Sequence, residues 1–543
     1  VTGVRNSTST STSTKRLPIS ATRLRLLMAA LLAVSFLGAL DHTIVSTSLA
    51  TVAGELGALQ HMSWVVVGYT LASTVLLPVL GGLGDRVGPR LVFLAALAGF
   101  VAASFLCGFA HDMTQLVAAR VFQGMSAAGL QLMSQTIVAE VTTPRQRPQY
   151  LSLIGAAFPV AILIGPLLGG LITDNWGWPW VFWINVPVGL AALVLAFIAV
   201  PHIEPAGKKR FDGVGALLLT AVLVAVVLAV AWFSSANSWA WIAVGAGAAA
   251  LAGLIAVERG QRNPIIPVRL FRNRTFSAGV GLSAVMGAGL ISATAYLPTY
   301  FQMAYGVSAT ISGLVPIATV LGMLVGNLLT GWLASRTGRY RVFPLVGTIM
   351  GALGLGAMSL LPAGVPLWVP ASIMAFVGLG TGAFMSLAVA IVQSAAPRSE
   401  LGTATATAGL SGQIGSTIGS AVVGGVVGFG VASLLPAGLD AHTLTPALVH
   451  AAGPSVQAEI ASIYHDVFSP VFLSLAGVYV LGFIAALLLP NGRLSDEPAI
   501  PAEDSGLDGA AGLDGPADLN GPADLEDPAD LDRAADLALE AKE

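Results

Sequence analysis

The chain has 543 residues, 55% of them hydrophobic and only 10% charged, with a mean hydropathy of +0.81. Soluble domains carry about a quarter of their residues as charges, so a soluble globular protein is excluded. The net charge of −3 conceals a division, because the acidic residues concentrate after Asn491, and the single cysteine, Cys107, permits no intramolecular disulfide. Apolar runs of about 20 residues separated by short polar gaps predict membrane-spanning helices. The first six are predicted near 26–48, 61–81, 91–110, 115–139, 150–172 and 180–200. Two more follow near 214–233 and 239–257, and a final six near 277–303, 308–333, 342–361, 367–395, 403–432 and 467–489. The fold class expected is an all-α polytopic membrane protein of fourteen spans. The first run is too long for a signal peptide and lacks a small-residue cleavage site, so it reads as a retained helix.

Basic residues orient these spans. Arg5, Lys15, Arg16, Arg23 and Arg25 precede the first; Arg86 and Arg90 follow the second, and Arg145 and Arg147 the fourth. Lys208, Lys209 and Arg210 follow the sixth, Arg259 to Arg274 the eighth, and Arg336, Arg339 and Arg341 the tenth. Arg398 follows the twelfth and Arg493 begins the tail, whereas gaps after odd-numbered spans hold no Lys or Arg. The alternation requires an even count and places both termini on the cytoplasmic side.

Two ionisable residues stand inside this apolar frame. Asp41 interrupts the first span, at a cost of at least ~3 kcal/mol on insertion scales. Arg120, in LVAARVFQGMSAAG, is the only Lys or Arg within a span. At 1.5 Å per residue both lie at similar heights in the outer half of the membrane. Embedded charges face a water-filled cavity or pair with one another, so Asp41 and Arg120 are expected to meet. Two readings stay open: a carboxylate that exchanges a proton as the cavity alternates, or a fixed structural ion pair. Further cavity candidates are His42, Gln123, Gln131, Gln135, Tyr300 and Gln302, with Tyr296, Trp64 and Tyr69 behind them. His42 is the weaker neighbour of Asp41, since consecutive helical residues point about 100° apart. Gln131 and Gln135 share one helix face, and interhelical hydrogen bonding accounts for such residues as well as substrate contact does.

GGLGDRVGPR, at Gly81 to Arg90, recurs in outline as GWLASRTGRY, at Gly331 to Tyr340. Each follows the second helix of a group of six, which predicts a duplicated six-helix unit with two helices inserted between the copies, a transporter architecture. The second copy has Ser335 where the first has Asp85. The domain limits expected are 1–24 (a disordered N-terminus), 25–201 and 276–490 (the two halves), 202–275 (a linker with two extra helices) and 491–543 (a disordered acidic tail).

These motifs together resemble the major facilitator superfamily, specifically its fourteen-helix drug:proton antiporters. LDHTIVSTSLA from Leu40 is similar to that family's first-helix motif, and Gly81, Asp85, Arg86, Gly88 and Arg90 to its loop signature, with Pro89 replacing a basic residue. Arg120, Gln123 and Gly124 match its R-x-x-Q-G motif; Gly165, Pro166, Gly169 and Gly170 match its antiporter motif G-P-x-x-G-G. WGWPWVFWINVPVG at 176–189 and RNPIIPVRLFRNRTF at 262–276 resemble two further segments, and the likeness covers residues 24–490. The resemblance implies that Asp85 latches the loop onto a second-half helix, holding an outward-open state closed at the cytoplasm. It also implies proton coupling through Asp41 and Arg120, and close backbone approach at the fifth-helix glycines.

The function expected is proton-coupled export of amphipathic small molecules across the plasma membrane. The rival is a dedicated exporter of one metabolite, lipid or siderophore. No enzymatic activity, cofactor, metal site or nucleic-acid partner is expected; the partners are protons, substrate and the lipid bilayer, and the chain is expected to be monomeric. His442, His450 and His465 in an outer loop at 434–466 lack metal-ligand spacing.

Overall fold

In hydrocarbon every backbone polar group needs an internal partner, so spanning segments become helices. The computed structural model describes residues 20–57, 62–203, 205, 212–234, 238–259, 261, 268–435 and 445–496. The repetitive N-terminal stretch 1–19, the lysines at 208–209, His442 and the acidic tail from 497 lie outside the described residues.

Among the described residues fourteen long helices follow in order: α1 (Ala21–Glu55), α2 (Met62–Val87), α3 (Pro89–Cys107), α4 (Met113–Val141), α5 (Arg147–Trp176), α6 (Pro179–Ala199) and α7 (Gly213–Ser234). Then come α8 (Trp239–Glu258), α9 (Arg274–Tyr305), α10 (Ala309–Thr337), α11 (Val342–Ser359), α12 (Trp368–Ser394), α13 (Leu401–Leu434) and α14 (Pro454–Leu487). Twelve of them are long and apolar enough to cross a membrane. The remaining two are α7 and α4, the latter diluted by Arg120 and by Gln115, Gln123, Gln131 and Gln135. The all-α polytopic fold expected from the sequence is thus the fold observed, with a helix at each of the fourteen expected spans and twelve of them meeting the length and hydropathy of a span, and among the described residues no β-strand forms.

Within the first half α1 packs on α5 and α6, and α4 on α2 and α3; within the second, α10 packs on α12, and α11 on α12 and α14. The inserted pair α7 and α8 pack on each other, and α7 also rests on α2 and α13, so it straddles the seam between the halves. Val75, Leu219, Leu223, Leu254 and Leu410 form the apolar core there.

Three boundaries differ from expectation. Helix α1 begins at Ala21, inside the stretch expected to be disordered. Helix α14 begins at Pro454, far ahead of the expected 467, because Ile460, Ile463, Tyr464 and Val467 bury one face of the extra turns. The supposed outer loop is therefore partly helical, and His465 lies within α14. Residues 491–496, assigned to the tail, are held against the bundle: Leu494 N donates to Gly338 O (2.8 Å) and Arg145 N to Ser495 O (3.1 Å).

Candidate functional site

Asp41 is wholly buried, and the structure brings it into direct contact with Arg120, whose Nη1 lies 2.6 Å from Asp41 Oδ2. The same nitrogen donates to Gln123 Oε1 at 2.5 Å. Gln123 Nε2 donates to Asp41 Oδ1 and to Ser104 Oγ, both at 2.8 Å, and Cys107 Sγ donates to Gln123 Oε1 at 3.6 Å. Asn185 Nδ2 supplies the other bond to Asp41 Oδ1, at 2.8 Å. Arg120 also lies over the Tyr69 ring, 4.1 Å from its centroid, and near Phe182. Four helices of the first half, α1, α3, α4 and α6, thus converge on one carboxylate, with α2 closing it through Tyr69. The cluster contains one buried anion and one buried cation, an arrangement whose loss of either partner costs about 3–5 kcal/mol.

Local sequence builds this packing. A Cβ on Gly124 would run into the Tyr69 backbone, so the glycine of R-x-x-Q-G allows α4 to close on α2. In α5 a Cβ on Gly165 would strike Thr43, and one on Gly169 would strike Thr47 and Ile44, whereas one on Gly170 meets nothing within 4 Å. Two of the motif's glycines therefore seat α1 just beyond Asp41, and Thr43 Oγ1 donates across to Ala161 O at 3.1 Å. Pro166 lies inside α5 without an amide hydrogen to contribute.

The other candidates fall in different places. His42 is half-buried, 5.9 Å from the Tyr69 ring centroid. Gln135 is half-buried and Gln131 exposed, while Gln302 is half-buried. Tyr300 is buried among Phe301, Phe468 and Phe472, with its hydroxyl 3.4 Å from His465 Nδ1, because α9 and α14 bury their aromatic faces together. Asn185 and Ser104 were not singled out from the sequence. A polar residue within the apolar segment FWINVPVG was the available signal for Asn185.

A second polar centre lies where the basic loops gather. Asp85 Oδ1 accepts from Gly402 N (2.7 Å), and Asp85 Oδ2 from Thr403 N (2.9 Å) and Thr403 Oγ1 (2.7 Å). These are the first amides of α13, where a helix is positive. Arg398 Nε meets Glu140 at 2.8 Å, Arg269 pairs with Glu400, and Asn327 Nδ2 donates to Ser152 O at 2.8 Å. Arg147 Nη1 donates to Gln393 O at 3.3 Å, and Gln393 Nε2 to Gln135 O at 3.2 Å. These bonds, except that of Arg269, cross between the two halves at this end. Arg90 instead bonds Phe197 O at 2.9 Å, and Arg86 is exposed.

The repeated loop occupies equivalent places in both halves. Gly88 and Gly338 both adopt positive φ (91° and 69°), which glycine tolerates without penalty. Gly81 packs on Gly402 and Ala406, and Gly331 on Ser152 and Pro148. Ser335, the counterpart of Asp85, bonds the Gln149 side chain at 3.2 Å, near the start of α5.

A duplicated six-helix bundle with a buried charge cluster in one half and a polar seam at one end defines a polytopic transporter fold. The chain belongs to the Major Facilitator Superfamily, whose family model matches residues 31–420, and it is accordingly a transporter of that superfamily. It is 34% identical over 489 residues to an uncharacterized MFS-type transporter of Mycobacterium tuberculosis, covering 88% of this chain and 71% of that one. It is 32% identical over 396 residues to the multidrug transporter protein MdtP of Bacillus subtilis, covering 72% and 73% of the two chains. The solved structure of the proton:xylose symporter XylE shares the fold, with a TM-score of 0.58 at 15% identity, over 88% of this chain and 98% of that one.

Proposed function

We propose that the protein is a proton-coupled antiporter that exports amphipathic compounds, drugs among them, across the plasma membrane by alternating access. The observation that carries the reading is the ion pair of Asp41 and Arg120, buried in a half-bundle and braced by Gln123 and Asn185. Asp41 is the group that exchanges the proton, and Arg120 is the countercharge that steadies it when ionised. The likeness to a multidrug transporter supports the substrate class.

On this reading the end bearing the basic loops is cytoplasmic, with both termini there. The bonds from Asp85 to α13 and from Arg398 to Glu140 then hold an outward-facing state closed on the cytoplasmic side. Substrate leaves outward from that state, and protonation of Asp41 precedes the return. The transporter works as a monomer, without cofactor or nucleic acid.

The experiment uses proteoliposomes with an imposed pH gradient and a fluorescent lipophilic cation as substrate, comparing wild type with Asp41→Asn and Arg120→Ala. Gradient-driven transport lost in Asp41→Asn, with dye binding retained, is the expected result. Wild-type coupling in Asp41→Asn reduces the pair to a structural brace. Transport of no cation by wild type favours a dedicated exporter of one metabolite, lipid or siderophore.

A further inference from the structure

Asn185 touches Asp41 and leaves a buried acceptor idle, whereas the other orphan atom beside Asp41, Arg120 Nε, can only donate. Asn185 Nδ2 donates to Asp41 Oδ1 at 2.8 Å, while its own Oδ1, fully buried, has no hydrogen-bond partner. Buried polar atoms nearly always find partners, so an orphan amide oxygen beside an ionisable carboxyl needs a reason. A side-chain amide has a donor at one end and an acceptor at the other, and half a turn about its last bond exchanges them. Facing a carboxylate, Asn185 presents its NH2. Facing a carboxylic acid, the same amide turned over presents its oxygen to the acid O–H.

The neighbouring groups lack this freedom. Gln123 reaches the same carboxylate oxygen, but its Oε1 is occupied by Arg120 and Cys107, and its Nε2 also bonds Ser104. Arg120 donates only, and its Nη1 is shared between Asp41 and Gln123. The remaining polar groups near the cluster are His42 on α1, Tyr69 on α2, and Cys107 and Ser104 on α3.

The geometry points to Asn185 as the positioning residue that serves Asp41 in both of its protonation states, donating to the carboxylate and, turned over, accepting from the acid. The inference rests on the reading of Asp41 as the coupling carboxylate. The proton arrives on Asp41 Oδ1 from water when the cluster opens and leaves the same way; Asn185 neither gains nor loses one. The idle oxygen is what allows the cluster to take up a proton without stranding a buried O–H.

The test is the pH profile of transport in proteoliposomes, for wild type, Asn185→Leu and Asn185→Asp, with Asp41→Asn in parallel. The Leu variant removes donor and acceptor at similar volume. It is expected to move the pH of half-maximal transport by at least about half a unit, with substrate KM within about threefold of wild type. The infrared carbonyl stretch of the protonated Asp41 acid is expected to move to the higher frequency of a less hydrogen-bonded group. The Asp variant keeps the shape of the side chain, so a folding failure of the Leu variant leaves it as the measurement. Two carboxylates at hydrogen-bond distance share a proton, and its profile is expected to move to higher pH. A wild-type profile and carbonyl band in a folded Asn185 variant overturn the inference. If Asp41→Asn retains the pH dependence, the coupling reading fails and the inference with it; pH dependence lost in Asp41→Asn but unmoved by Asn185 variants overturns the Asn185 role alone.

Discussion

Gly81 and Gly402 face each other across the seam between the two halves so closely that neither tolerates a side chain. A methyl added to Gly81 would lie 2.8 Å from Gly402 O, and one added to Gly402 would lie 2.6 Å from Gly81 O. On the proposed alternating-access cycle this contact is made only while the basic end is closed, so bulk at either position is expected to act selectively against the closed state. Overpacking of this kind costs about 1–3 kcal/mol, enough to shift a two-state population by roughly 5- to 150-fold. Gly402→Ala is therefore expected to open the basic end. Spin labels at exposed Arg86 and Arg336 report it as a longer distance, with Cys107 left in place because it is buried. An unchanged distance distribution would mean that the helices absorb the methyl by sliding.

The two copies of the loop are equal in geometry but not in chemistry. Asp85 meets two amides at the start of α13, while Ser335 meets a side chain near the start of α5. Residue 148 in the first turn of α5 is proline and has no amide hydrogen to offer a carboxylate. Charge-assisted hydrogen bonds contribute about 1.5–3 kcal/mol each when buried, and Asp85 is half-buried, so its contribution is smaller. Asp85→Ser is expected to lower transport about tenfold or more, and adding Ser335→Asp to restore little of it. Recovery to near wild-type rates in the double variant would show that charge alone, placed on either loop, is sufficient.

Arg120 and Asp41 are coupled strongly enough to be measured by a double-mutant cycle. Removing Arg120 alone leaves a buried carboxylate held by two amides, a loss of about 3–5 kcal/mol. Removing both charges is expected to cost less than the sum of the singles by more than about 1.5 kcal/mol. Arg120→Lys keeps the charge but cannot reproduce the planar guanidinium over Tyr69 while bonding both Asp41 and Gln123. It is expected to fall between wild type and Arg120→Ala in detergent unfolding assays. Additive single losses would indicate that the pair is not coupled.

The charges in this site were legible because an Asp or Arg in an apolar run has no other company. The loop repeat was legible because its glycines recur at fixed spacing and both copies need a positive φ at the same place. Asn185 was not, since one amide near a span end looks like interface decoration until α6 is placed against α1. The aromatic packing of Tyr300 was not legible for the converse reason: its partners Phe468 and Phe472 are more than 160 residues away, and no local periodicity records that pairing. The extra turns of α14 went unseen because their mixed polar and apolar residues resemble a loop to any reading based on continuous hydrophobicity.

The G-P-x-x-G-G motif treats its glycines alike, and the structure does not. Gly165 and Gly169 lie against Thr43, Ile44 and Thr47 of α1, and Gly170 faces open space. Small residues let membrane helices approach closely, and here the approach fixes the height and rotation of the helix that carries Asp41. Gly165→Ala and Gly169→Ala are each expected to lower transport at least about tenfold, the effect of roughly 1–3 kcal/mol of overpacking. Gly170→Ala is expected to stay within about twofold, as a surface change does. Equal losses at all three positions would point to a lipid-facing or motional role that contact geometry does not capture.

Residues 492–496 form a strap across the basic end. Leu494 N bonds Gly338 O in the second half; Arg145 of the first half takes Ser495 O on its backbone and Asp496 on its side chain, at 2.6 Å. Arg145 also donates to Ser335 O (3.0 Å) and Arg336 O (2.8 Å), so one arginine joins both halves and the strap. The ion pair is largely exposed and worth about 0–1 kcal/mol, and each backbone bond adds roughly 0.5–1.5 kcal/mol. Together they bias the closed end by a few kcal/mol at most. Truncation after Asp496 is expected to leave the distance between labels at Arg86 and Arg336 unchanged, whereas truncation after Asn491 lengthens it in a measurable fraction of molecules. Identical distributions for the two truncations would leave closure to Asp85, Arg398 and the glycine contacts alone.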